Sequence, residues 1–404
     1  MSVYLDHAAT TPLRAESRAA YIDALDIVGN PASIHGVGQR AKQLLEESRE
    51  TIARSLGCDS IEVILTSGGT EAINFALKGL FWSRNAEGAR PIILAPGGEH
   101  HATIDTLEWL VAHDRADVRW LPLDEEGTLH ADVFDAALVE AAGRCAVATV
   151  IYGNNEVGTV QPIDELSRVA ARHGVPLHVD AVAAYGHVDI DVARLRAISG
   201  ASGEAGLVAL SVSAHKIGGP VGVGALYLSR GATVEPLLHG GGQQRNVRSG
   251  TQDVAGAIAF ATAAELAASE RADEAQRLTE LRDVLIAGVR HAVPEVRVNG
   301  SRTHRLANNA HFSFPGCEGD SLLFLLDMAG VAVSTGSACQ AGIPEPSHVL
   351  QAMGRDEREA HGALRVSLGR TTTRADIDAF LAALPEAHRQ AKKAGLSDRE
   401  VTRR

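Results

Sequence analysis

The sequence predicts an α/β protein, with a large domain on a mostly parallel central sheet and a smaller α+β C-terminal domain. Three observations carry that prediction. Between about residues 60 and 230, short β-rich runs alternate with helical stretches, which sets parallel strands side by side with helices on both faces. After about residue 254 the texture changes to Ala- and Leu-rich helical sequence followed by short strands. Polar motifs fall at the predicted strand ends of the first region, where open α/β sheets hold their ligands. A chain of 404 residues is long enough for this plan.

Taken in order, residues 62–66 (Glu-Val-Ile-Leu-Thr) read as a strand leading into a helix from about Thr70. Residues 91–95 lead into a helix from about His100. The run 146–152 precedes a helix near 163–173, and 175–180 (Val-Pro-Leu-His-Val-Asp) follows directly. The apolar run 206–212 ends in Ser213-Ala214-His215-Lys216, and a glycine-rich run follows at 217–224. Beyond it, 254–292 reads as two helices. Strands are expected near 296–298, 310–314, 331–333 and 364–368, with helices at 320–328 and from about Thr373. A loop spans 334–346, and the last dozen residues read as a frayed polar tail. The expected boundaries are 1–20 for an N-terminal segment associated with the small domain, 21–255 for the large domain and 256–404 for the small one.

Composition narrows the function. The net charge of −12 is spread without long single-sign runs, which argues against a nucleic-acid partner. The longest apolar run, 254–264, is stopped by Glu265, so no membrane span is expected. The start lacks a basic and an apolar signal region, and a cytoplasmic location is expected. The four cysteines show no paired spacing, and disulfides are not expected. Cys58 and Cys145 border apolar runs and read as small core residues.

Ser213-Ala214-His215-Lys216 is the most informative stretch. A lysine fixed at a sheet edge suits a Schiff base with an aldehyde cofactor, pyridoxal phosphate, and Ser213 and His215 beside it can hold the phosphate. A surface lysine in a turn is the plain alternative. In Thr66-Ser67-Gly68-Gly69-Thr70, glycines let backbone N–H groups approach an anion at a helix N-terminus, so Gly69 and Thr70 can hold a phosphate. An ordinary capped turn is the alternative. Asp180, ending its strand, can pair with a protonated pyridine nitrogen and make the ring an electron sink, or cap a turn. Asn155 can donate to the ring oxygen, or serve a turn. Adjacent residues do not share a helix face, so only one of His100 and His101 can enter a site, and His100 is the candidate to stack on a ring.

Three further motifs lie outside the strand ends. The polar, glycine-rich segment 240–251 reads as an extended loop able to bring Thr251 to a phosphate; Arg245 and Arg248 disfavour a disordered linker. Residues 334–342 form a small-residue loop with little to bury the thiol of Cys339, which suits a nucleophile that reaches a substrate and then a partner. Arg365 sits within an apolar strand and needs a carboxylate, either a bound amino acid in a bidentate clamp or a structural partner.

Together and in this order, these motifs resemble the cysteine desulfurases, pyridoxal-phosphate enzymes of the class V aminotransferase group. The likeness runs from Tyr4-Leu5-Asp6-His7-Ala8-Ala9-Thr10-Thr11-Pro12 to about Asp378. The segments 30–35 (Asn-Pro-Ala-Ser-Ile-His) and 345–350 (Glu-Pro-Ser-His-Val-Leu) are similar to the branch with the longer cysteine loop that serves iron–sulfur assembly. The resemblance implies a fold-type I pyridoxal-phosphate transferase. It implies Lys216 as Schiff-base lysine, His100 stacked on the ring, Asp180 at the pyridine nitrogen and Asn155 near the ring hydroxyl and substrate. Gly69, Thr70, Ser213 and His215 would bind the phosphate, and Thr251 would do so from the other subunit of a homodimer. Arg365 would bind the carboxylate of L-cysteine. Cys339 would take the sulfur as a persulfide, leaving L-alanine, and through it make transient contact with cluster iron. The sulfur would pass to an acceptor, an iron–sulfur scaffold or a tRNA-thiolation enzyme. The rivals are a selenocysteine lyase, an aminotransferase or another β-lyase of the same fold, and a non-catalytic sulfur-transfer scaffold.

The sequence departs from the family pattern in two places. Ala183 stands where a Gln is usual three residues after the aspartate, and the stretch 200–206 before the lysine strand is longer than expected.

Overall fold

The computed structural model describes residues 3–336 and 346–401. In chain order its strands are β1 (Val3–Tyr4), β2 (Val63–Thr66), β3 (Ile92–Pro96), β4 (Asp117–Leu121), β5 (Cys145–Ile151), β6 (Pro176–Asp180), β7 (Gly206–Ser213), β8 (Gly224–Leu228), β9 (Arg297–Asn299), β10 (Asn309–Ser313), β11 (Val331–Ala332) and β12 (Ala363–Ser367). Its helices are α1 (Ala15–Ala24), α2 (Gly36–Leu56), α3 (Gly69–Arg84), α4 (His101–Asp114), α5 (Ala131–Ala141), α6 (Ile163–Arg172), α7 (Val192–Ser199), α8 (Val254–Ala292), α9 (Gly319–Met328), α10 (His348–Ala352), α11 (Glu357–His361) and α12 (Arg374–Val401).

The expected α/β plan is present. A seven-stranded sheet runs β2-β8-β7-β6-β5-β3-β4. The block from β7 to β4 is parallel, and β8 is antiparallel to both β7 and β2. The connection from β7 to β8 is too short to hold a crossover helix, so it can only turn back. Strands β5 and β7 are buried along their whole length, as strands covered on both faces must be. On one face, Leu45 and Ile52 of α2, Leu166 of α6 and Phe260 of α8 close a core that includes Leu177 and Val179 of β6. On the other, Phe75 and Leu77 of α3 and Leu107 and Leu110 of α4 close a second. The two-residue period of β6 therefore turns His178 and Asp180 toward the side of α3 and α4.

The C-terminal region packs α9, α12 and the second half of α8 against an antiparallel sheet, β12-β10-β9, around Leu285, Phe312, Phe314, Leu322, Leu326 and Phe380. Leu5 belongs to that core, and β1 pairs in parallel with β11. The N-terminal segment then passes the large sheet, where Thr11 N–H donates to His215 O, and α1 lies on α8, with Ser17 Oγ donating to Ala259 O.

Two expectations are corrected. Residues 254–292 form one helix of 39 residues rather than two. The polar stretch 269–276 contains no Gly or Pro to end a helix, and it lies between Ala267 of one core and Leu278 of the other. The tail is helical through Val401 rather than frayed over its last dozen residues. Among the described residues, no helix is long and apolar enough to cross a membrane.

Candidate active site

At the carboxyl ends of β5, β6 and β7 the sheet opens onto a cavity of about 380 Å³. Lys216 reaches it from a single turn, Ala214–Lys216, that continues β7 and is anchored by the fully buried Ala214. Its Nζ donates to the carbonyls of Ala8 and Ala9, the latter at 3.0 Å, so the N-terminal segment forms one wall. Burial pushes the Lys216 amine down to about 8; the Arg365 charge adds to the shift, while Asp180 and Asp6 oppose it.

Asp180 faces the same cavity from the end of β6. Its Oδ1 accepts from Val182 N–H at 2.9 Å, and no hydrogen bond to its Oδ2 is present among the described residues. Burial raises its carboxyl to about 6, although Lys216 and the Val182 bond pull the other way. Beneath it a buried polar row crosses three strands: His178 shares hydrogen bonds of 2.8 Å with Thr149 on β5 and with Ser211 on β7. Ala183 also lines the cavity and offers no side-chain donor there.

The start of α3 supplies an anion cradle. Gly68 stands at its N-cap with φ 153° and no side-chain cap, which leaves the first-turn N–H groups open. A Cβ on Gly69 would lie 2.6 Å from Val182 Cγ2, so the loop after β6 packs directly on the helix start. Thr70, Ser213 and His215 border the same end. His215 meets Thr10 Oγ1 at 3.2 Å, and burial together with Lys216 lowers its imidazole to about 4. Glu71 in this first turn is gripped by Arg248 at 2.9 and 3.3 Å, pinning the 240–251 loop to the cradle. Thr251 is exposed and does not line the cavity of its own chain.

His100 is the N-cap of α4; its Nδ1 accepts from Ala102 N–H at 3.0 Å. Its ring is accessible from the cavity yet surrounded by protein, and burial, with the Lys216 charge, lowers it to about 4. It is therefore neutral, with Nε2 carrying the proton. His101 turns away toward His348, ring centroids 4.9 Å apart. Glu99, one residue earlier, is fully buried. Its Oε1 accepts from Ile151 N–H at 2.7 Å, its Oε2 has no partner among the described residues, and burial pushes it up to about 8. Sequence reasoning passed over Glu99; its place between a glycine turn and the helix-capping His100 was the available signal.

Arg365 enters from β12, 5 % exposed. Its guanidinium donates to Asn155 O at 2.9 Å and to Asp6 Oδ1 at 2.8 Å, while its Nε is buried without a partner among the described residues. Arg365 therefore has a structural carboxylate partner, Asp6, and also lines the cavity. Asn155 lines it too, whereas Asn154 serves the turn, its Oδ1 accepting from Glu156 and Val157 N–H.

Ser334 pairs with Arg365 through backbone bonds of 2.6 and 3.2 Å, and both Ser334 and Gly336 border the cavity. Cys339, the sulfur acceptor and iron contact expected from the sequence, lies outside the described residues. The other thiols are free and poor nucleophiles: burial pushes Cys58 and Cys145 up to about 12 and Cys317 up to about 11. Brief alkylation of the native protein at pH 7.5, read by peptide mass spectrometry, is expected to label Cys339 and spare these three. Equal labelling of all four would refute their assignment as inert. Among the described residues, no cluster of three His, Cys, Asp or Glu is placed to hold a metal ion.

A half-buried lysine, a buried carboxylate and an uncapped helix start at one strand-end cavity define a site suited to an enzyme with a phosphorylated aldehyde cofactor. The chain belongs to the class-V aminotransferase family, whose model, Aminotransferase class-V, matches residues 3–380. It is 48 % identical over 396 residues to an IscS-like cysteine desulfurase of Mycobacterium tuberculosis, covering 98 % of both chains. A solved NifS-like protein superposes with a TM-score of 0.85 at 33 % identity, covering 96 % of this chain and 99 % of that one. A solved SspA in complex with cysteine gives 0.76 at 29 % identity, covering 91 % and 99 %.

Proposed function

We propose that this protein is a pyridoxal-phosphate-dependent cysteine desulfurase that converts L-cysteine to L-alanine and leaves the sulfur as a persulfide on Cys339. The observation that carries the reading is the convergence of Lys216, Asp180 and the α3 start on one cavity whose rim holds Ser334 and Gly336, the last described residues before Cys339. The residues fit the cofactor. Open first-turn N–H groups with Thr70, Ser213 and His215 suit a phosphate, Asp180 keeps an oxygen for a ring N–H, and His100 offers a neutral ring face. When bound, pyridoxal phosphate supplies an aldehyde that joins to amines and a ring that withdraws electrons from the joined carbon.

The chain's own groups do the rest. Arg365 and Asn155 orient the substrate carboxylate. The Lys216 amine, neutral above about pH 8, takes and returns the proton at the substrate α-carbon. The Cys339 thiolate attacks the substrate sulfur, and the carbon–sulfur bond breaks. The electron pair stays with the carbon, which is protonated to the methyl group of alanine, and one sulfur atom remains on Cys339. Ala183 gives the ring oxygen one hydrogen bond fewer, a loss of about 1 kcal/mol that leaves turnover intact. The working unit is a homodimer in the cytoplasm, with Thr251 reaching the partner's phosphate and the persulfide passing to an acceptor protein of iron–sulfur assembly or tRNA thiolation.

This reading fixes a pH dependence for cofactor capture by the apoprotein. Covalent capture needs Lys216 neutral and is favoured by Asp180 ionised. With the amine at about 8 and the carboxyl at about 6, the rate rises through pH 6, rises again through pH 8 and then levels. N-acetyl-lysine, whose amine titrates near ~10.4, keeps rising beyond pH 9. Rapid-mixing absorbance across pH 5.5–10 checks this; a protein profile that tracks N-acetyl-lysine overturns the placement of Lys216.

A further inference from the structure

We infer that Asp6 is a positioning residue for substrate recognition, holding the Arg365 guanidinium in the orientation that receives the substrate carboxylate. The inference rests on the reading of Arg365 as the carboxylate clamp.

A guanidinium carries five N–H donors in a rigid fork. In Arg365 one terminal nitrogen donates to Asn155 O at 2.9 Å and the other to Asp6 Oδ1 at 2.8 Å, while Nε has no partner among the described residues. Each terminal nitrogen keeps a second hydrogen. The Nε–H and a terminal N–H together form the edge that takes a carboxylate bidentately. Asp6 and Asn155 O thus hold the fork from one side and leave an edge unpaired. Buried donors are rarely left orphaned, and an incoming carboxylate at the cavity satisfies both.

Asp6 is itself held by backbone, not by its carboxylate. The segment around it lies parallel to β12, bridging Asp6 to Ser367, with Ser367 N–H donating to Leu5 O at 2.8 Å and His7 N–H to Ser367 O at 3.3 Å. Ala8 N–H donates to Ser367 Oγ at 2.9 Å, and Tyr4 OH bonds both Asp6 O and Thr10 O. The side chain, 21 % exposed, has Arg365 as its one hydrogen-bond partner among the described residues. Removing the carboxylate therefore frees the guanidinium while the segment keeps its backbone bonds. On the far side, β10 places His311 opposite Arg365, and burial lowers that imidazole to about 3, so it stays neutral and brings no second positive charge beside the guanidinium. Among the described residues, the single carboxylate hydrogen-bonded to Arg365 is that of Asp6.

The test compares Asp6→Ala, Asp6→Asn and Arg365→Lys as holoenzymes. Asp6→Ala is expected to raise KM for L-cysteine about 10-fold, the scale of a lost hydrogen bond to a charged group, with kcat within about threefold. Asp6→Asn keeps an acceptor oxygen and is expected to restore KM to within about threefold of wild type. Binding of L-alanine, read by cofactor absorbance, should weaken in Asp6→Ala, whereas L-alaninol, which lacks the carboxylate, should bind it and wild type alike. A KM that is unchanged or lower in Asp6→Ala overturns the inference, as does equal weakening toward alanine and alaninol. If Arg365→Lys leaves KM and alanine binding unchanged, the clamp reading of Arg365 itself fails, separately from the role of Asp6.

Discussion

Lys216→Ala lowers L-cysteine turnover by more than about 10³-fold and leaves pyridoxal phosphate removable by dialysis. The effect is this large because one amine serves both as covalent anchor and as proton carrier at the substrate α-carbon. No other lysine lines the cavity among the described residues. His215 and His100, the bases nearest in function, are held neutral at about 4, too weak to replace an amine near 8. The fold should survive, since the Lys216 side chain bonds only the carbonyls of Ala8 and Ala9 among the described residues, and the turn is anchored by buried Ala214. Alanine release and cofactor absorbance before and after dialysis check this. A variant that keeps its visible band and still forms alanine would move the anchor elsewhere.

Cys339→Ala separates sulfur transfer from cofactor binding. The groups proposed to bind the cofactor sit on β6, on β7 and the turn after it, in the loop after β5, at the starts of α3 and α4 and in the 240–251 loop, none of them within residues 337–345. The variant should therefore keep the cofactor band and its spectral response to L-cysteine. Alanine formation should fall by about 10²-fold or more, because no other thiol takes its place. Cys58, Cys145 and Cys317, with thiols pushed to about 11 or above, are seldom thiolates at neutral pH. Wild-type rates of sulfide release from this variant would point instead to a generic β-lyase.

Where one local rule governed a segment, the sequence was legible. The strands β2, β3, β5, β6 and β7 are mostly apolar runs between turn residues, and their ends carry Gly69, Asp180, Ser213 and Lys216, which meet at one cavity. Other elements were obscured by composition. Strand β8 lies at the end of a glycine-rich run that reads as loop; it is a strand because a short turn folds it back on β7. Strand β4 is a short edge strand, partly exposed and polar at Asp117 and Arg119. Helix α2 went unread although Ala41, Leu45, Ile52 and Leu56 repeat at helical spacing, because its exposed face is densely charged. In the site, what the sequence hid is what the topology joins. Asp6 meets Arg365 across 359 positions, and Ala8 and Ala9 reach Lys216 across more than 200. No periodicity in one segment reports a pairing made in another.

The most direct test of the central claim is a single turnover. Holoenzyme is mixed with less than one equivalent of L-cysteine without reductant, quenched with an alkylating agent, and assayed for alanine and for the mass of each cysteine peptide. The account predicts one alanine per cysteine consumed and an equal amount of the Cys339 peptide heavier by one sulfur atom, with the Cys58, Cys145 and Cys317 peptides unchanged. Alanine formed without added sulfur on Cys339, or pyruvate and free sulfide in place of alanine, would contradict it.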